Sequence, residues 1–85
     1  MLMYTVLDFA AKVYLPPFCV PSERDAKHQF ENAVLDPQTS ISKYPADYTL
    51  YQIGEFDQRS GILTKLDLPL PIVNAAVYVK EKTNE

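Results

Sequence analysis

Cysteine, glycine and histidine are scarce in this chain of 85 residues, and each shortage removes a class of chemistry. A single cysteine, Cys19, cannot form an intramolecular disulfide framework or a thiolate zinc site. Two glycines, Gly54 and Gly61, cannot supply a Gly-rich phosphate cradle. The one histidine, His28, has Arg24, Glu31 and Asn32 around it on the helix predicted there, which is neither a metal-ligand set nor a nucleophile to activate. No apolar run approaches the roughly 20 residues that span a bilayer, and the N-terminus lacks the basic stretch and apolar core of a signal peptide. Polybasic runs are missing too. Eight Lys/Arg against eleven Asp/Glu give a net charge of −3, the wrong sign for a protein that coats phosphate backbones. These shortages predict a reduced, soluble, intracellular chain with no cofactor, no metal and no membrane partner.

What is present is enough for a modest core. Apolar and aromatic residues make up 47% of the chain and charged ones 22%, which separates it from disordered tails. The length suits one small domain over 1–85, with the mixed-charge end 80–85 expected as a flexible tail.

Residues Met1–Leu7 read as a strand with Leu2, Tyr4 and Val6 on one face. Phe9–Leu15 is ambiguous between a helical turn and extension, and Pro16-Pro17 forces extension after it. Phe18-Cys19-Val20, flanked by Pro17 and Pro21, belongs at a sheet edge. Ser22 then stands at an N-cap position with Asp25 three residues on, and Ala26, Phe30, Ala33 and Val34 form one stripe. A helix over about 22–36 follows, stopped by Asp36-Pro37. Pro37–Asp47 reads as a polar loop anchored by Ile41 and Tyr44. A β-hairpin is expected over about 48–66, its imperfect alternation repaired by a bulge at Gly54, with a turn at Gln58–Gly61. Pro69 and Pro71 predict an extended exit. Residues Ile72–Val79 fit both a helix and a strand period, and the reading leans to a short helix from near Asn74. The fold class is α+β: a small antiparallel sheet with the main helix packed on one face. The other face, where Tyr4, Tyr48 and Tyr51 are candidates, needs a partner if it is exposed and aromatic.

Catalytic chemistry finds little footing. Cys19 between Phe18 and Val20 reads as a buried, inert thiol. Asp57 and Asp67 flank the hairpin as solvated turn acids. The chain is read as no enzyme. Its six tyrosines and four phenylalanines are more informative, since aromatic rings stack on single-stranded bases or build protein interfaces. The candidate binding set is Tyr14, Phe18, Tyr48 and Tyr51 for stacking, with Lys43, Arg59 and Lys65 for phosphates.

One combination is distinctive. A strand precedes the run Asp8–Phe18 with its Pro16-Pro17; the capped helix with Phe30 and Asp36-Pro37 follows; then come Pro45-Ala46-Asp47-Tyr48 and Ile53-Gly54-Glu55-Phe56-Asp57 with Ser60-Gly61. Over about residues 1–78 this resembles the small nonstructural proteins of gokushovirus-like microviruses, single-stranded-DNA phages of bacteria. Cys19 and Pro69-Leu70-Pro71 depart from that pattern. The resemblance implies a protein absent from the capsid, resident in the host bacterial cytoplasm, and acting in genome replication or single-stranded DNA packaging. It also implies single-stranded DNA or replication and packaging proteins as partners. The alternative reading is a homodimeric interaction module that binds a viral or host protein through the exposed sheet.

Overall fold

The computed structural model describes the backbone of residues 1–83 and the side chains of residues 1–80. The strands are β1 (Leu2–Asp8), β2 (Val13–Tyr14), β3 (Phe18–Val20), β4 (Tyr48–Phe56) and β5 (Leu63–Asn74). The helices are α1 (Glu23–Leu35), the single-turn α2 (Ser40–Lys43) and α3 (Ala76–Thr83), with a 3-10 turn at Pro45–Asp47. The expected α+β architecture is the one observed. The tail expected at 80–85 falls partly within α3, whose backbone reaches Thr83, while 84–85 lie outside the described residues.

All the strand pairings are antiparallel, and β1 lies inside the sheet. One side of β1 pairs with β4. Its other side is shared by two short strands laid end to end, β2 opposite Leu7–Asp8 and β3 opposite Leu2–Tyr4. Residues 15–17 cross the gap, facing Thr5 and Val6. Prolines 16 and 17 bring no donor there, so this rim can only be an edge. Two bonds still hold it: the Leu15 N–H donates to the Val6 carbonyl at 2.8 Å, and the Thr5 hydroxyl donates to the Leu15 carbonyl at 2.5 Å. The ambiguous stretch before it resolves into a turn over residues 9–12, with Lys12 at φ 59°, followed by β2.

Helix α1 begins where its cap predicts. The Asp25 N–H donates to the Ser22 hydroxyl oxygen at 3.2 Å, and that hydroxyl donates to the Asp25 carboxylate at 2.9 Å. Ala26, Phe30 and Val34 are buried against Tyr4, Val6, Val20, Tyr48 and Leu50. Phe30 meets Tyr78 of α3 edge-on at 6.2 Å, so both helices cover the same face of the sheet. In the connection after α1, Ile41 packs against the core as expected. Tyr44 does not: it is exposed, because the Pro45 turn carries its ring outward.

The far rim differs most from expectation. The second hairpin arm does not end at Leu66 but continues as β5 to Asn74. Ladder pairing survives Pro69 and Pro71 because β5 is outermost and because residues 66–69 bulge out opposite the single residue Ile53. Ile53 is also the extra residue of β4 against β1, since Tyr4 pairs with Gln52 and Met3 with Gly54. The bulge thus sits at Ile53, next to Gly54 rather than on it. Gly54 instead lets β5 come close, since a Cβ there would overlap the Thr64 carbonyl oxygen. Ile72–Val79 satisfies both of its sequence periods in succession, strand to Asn74 and helix from Ala76. The Asn74 carboxamide oxygen accepts the Ala76 N–H at 3.0 Å at the switch.

Candidate functional site

In an antiparallel ladder, directly opposed residues share a face. Val6 opposes Leu50 and Tyr4 opposes Gln52 on the covered face. The open face therefore carries Met3, Thr5 and Leu7 of β1, Tyr14 of β2 and Cys19 of β3. From β4 and β5 it carries Thr49, Tyr51, Gly54, Lys65 and Pro71, among others. Among the residues so placed, Lys65 is the one charged side chain and there is no carboxylate.

Phe18 and Tyr48 lie apart from Tyr14 and Tyr51, on the helix-covered face. Phe18 lies opposite Tyr4, stacks on its ring at 6.2 Å, and packs against the core. Tyr48 is buried beside Leu50, and its hydroxyl donates to Asp8 Oδ2 at 3.4 Å. Burial and the neighbouring Asp8 charge push the Tyr48 phenol above its ordinary value. Tyr4, a candidate for the other face, is likewise in the core, its phenol raised by burial and by the charge of Glu23. The reason is common to all three: α1 and α3 cover the face to which the ladder assigns them. Cys19, expected to be buried, is exposed, because β3 is a rim strand and its odd position points away from the helices.

Tyr14 and Tyr51 do come together. Their rings meet edge-on, with centroids 5.6 Å apart and planes at 80°, and Tyr14 is 50% exposed. Beside them runs an open apolar groove of about 460 Å³ lined by Thr5, Tyr14, Leu15, Pro16, Pro17, Ile53 and Pro69. Its two walls are the proline-bearing rims of the sheet. Thr5 on its floor is almost fully buried, and its hydroxyl is already used by the Leu15 carbonyl, so the floor is chemically quiet. Lys65 opposes Gly54 on this same face. Arg59 lies in the turn beyond Phe56, more than about 20 Å along the strands from Tyr14 at roughly 3.4 Å per residue. Lys43 is apart from this group, at the end of α2 on the helix-covered side.

Sequence reasoning missed Thr5, Leu15, Ile53 and the three groove prolines. The Pro16-Pro17 pair was legible as a rim and the broken alternation around Ile53 as a bulge. Their convergence across two strands was not.

An open groove of about 800 Å³ runs along the solvent side of α1 beside His28, but its lining holds no Cys, Ser or Thr. Among the described residues, no group of three or more His, Cys, Asp or Glu side chains is placed to hold a metal ion. No described helix is long and apolar enough to cross a membrane.

Residues 1–78 match the family model described as "Phage ORF5 protein", and the chain belongs to that family. No curated protein and no solved structure gives a significant match.

Proposed function

We propose that this phage ORF5 family protein is a non-enzymatic accessory factor of viral genome replication or single-stranded DNA packaging, working in the host cytoplasm through its open sheet face. The microvirus resemblance suggests the process, and the open face suggests the means. The observation that carries this reading is the exposed Tyr14 ring, held edge-on to Tyr51 beside an apolar groove. Aromatic rings fixed in this way accept nucleobases of any sequence, at about 1–3 kcal/mol per stacked base. Lys65 and Arg59 continue along the sheet from Tyr14 and supply the phosphate contacts. With only two cations along that track, affinity comes from stacking more than from charge.

Fluorescence anisotropy with a labelled oligothymidylate of about 20 nucleotides tests this at low salt. Binding in the micromolar range is expected, with a shallow log–log salt slope of about −1.4 for two phosphates on a single strand. Tyr14→Ala should weaken it about tenfold. Absence of binding at about 50 μM protein, some −6 kcal/mol, removes direct DNA contact.

A further inference from the structure

Stacking on Tyr14 tolerates any base, but the groove beside it does not. Leu15, Pro16, Pro17, Ile53 and Pro69 supply most of its lining, and none of these side chains carries a hydrogen-bonding atom. The backbone adds little. Prolines 16, 17 and 69 have no N–H, the Leu15 N–H is held by the Val6 carbonyl at 2.8 Å, and the Leu15 carbonyl already accepts the Thr5 hydroxyl. A polar group entering here would leave water and meet chiefly carbon in exchange, at a net cost. At about 460 Å³ the groove is within the roughly 300–1,000 Å³ of small-ligand sites. Tyr14 is itself part of the lining, so a base stacked on its exposed ring has one edge over the groove.

Taking the open face to bind single-stranded DNA, as proposed above, we infer that this groove selects thymine, with the base on Tyr14 and its C5-methyl group between the proline-bearing walls. The parts of a DNA strand differ in what they would bring there. Phosphates are charged. Adenine and guanine present the N7 acceptor on the corresponding edge, and cytosine has its N4 amine beside an unsubstituted C5. Thymine alone presents a methyl group, which gains from leaving water and needs no hydrogen-bond partner. Its O2 and N3, across the ring, stay toward the open side, where water satisfies them. The groove thus adds a base preference to a platform that has none of its own, without a single base-specific hydrogen bond.

Anisotropy titrations of the full chain with labelled oligothymidylate and oligodeoxyuridylate of equal length test this, because the two strands differ only by the methyl group. Oligothymidylate should bind about fourfold more tightly, the worth of one buried methyl group. Ile53→Ser and Pro69→Ser each place a hydroxyl in the groove and should bring that ratio close to one. Pro69 is exposed on the outermost strand, so its variant keeps the fold even where Ile53→Ser does not. Taking the ratio within each variant cancels any loss common to both oligonucleotides. Arg59→Ala, which removes a phosphate contact, should weaken both equally and leave the ratio at its wild-type value. Equal binding of the two strands by the wild-type chain overturns the thymine assignment while DNA binding stands. A ratio that survives both serine variants overturns it too. Binding of neither strand overturns the DNA reading itself, and the thymine assignment with it.

Discussion

The carbonyl oxygen of Thr64 occupies the space that a side chain on Gly54 would need. Gly54 is thus required by close approach of the β5 backbone and not by its own dihedral angles, whereas Gly61 has open space around it but a φ of 75°. Gly54→Ala must push β5 away at its paired end and should cost about 1–3 kcal/mol. Gly61→Ala should cost about 1 kcal/mol through its backbone conformation alone. Chemical denaturation of both variants checks the order.

The Tyr4 ring is fully buried, and among the described residues its hydroxyl has no hydrogen-bond partner. A buried, unpaired hydroxyl is a net cost. Tyr4→Phe keeps the stack on Phe18 and removes that cost, so it should raise stability by about 1 kcal/mol. A lower melting temperature in this variant would show that the hydroxyl has a partner in solution.

Asp57 accepts backbone N–H bonds from Arg59 at 2.8 Å and from Ser60 at 3.4 Å, which hold its carboxyl below the ordinary value. A depressed folded-state pKa contributes stability above the unfolded-state pKa, and that contribution is lost as pH falls through the folded one. The melting-temperature gap between wild type and Asp57→Ala should therefore be widest near neutrality. It should close as pH falls below about 4, the ordinary aspartate range. A gap constant from neutrality to acid would remove the carboxylate from the account of the turn.

Tyr14 and Tyr48 were equal candidates in the sequence and are opposites in the fold. Tyr48→Ala opens the core beside Leu50 and should cost about 3–5 kcal/mol. Tyr14→Ala, at a half-exposed rim position, should stay within about 1 kcal/mol while impairing the oligonucleotide binding proposed for it. Paired unfolding and anisotropy titrations separate the structural tyrosine from the surface one.

Local chemistry accounts for the parts of the fold that were legible. The Ser22–Asp25 cap and the Ala26, Phe30, Val34 stripe define α1 within its own residues. Pro16-Pro17 identifies a rim without reference to any other strand. The extent of β5 was less accessible, because a proline ends a strand only if its N–H is needed, and that depends on which side the neighbour lies. Ile72–Val79 carried two periods because it is two elements, joined at Asn74. Of the candidate binding residues, Tyr14 and Tyr51 share a contact, and Lys65 is on their face. Phe18, Tyr48 and Lys43 belong to the helix-covered side.

The scarcity of cysteine, glycine and histidine, the order of the elements and the capped helix follow from the sequence alone, because each rests on residue chemistry or on contacts within a few positions. Which sheet face is covered was decided only by the tertiary structure. A period of two sorts side chains into two sets without saying which set α1 and α3 will meet. That single choice buries Tyr4 and Tyr48, exposes Cys19, and leaves Tyr14 and Tyr51 beside a proline-walled groove.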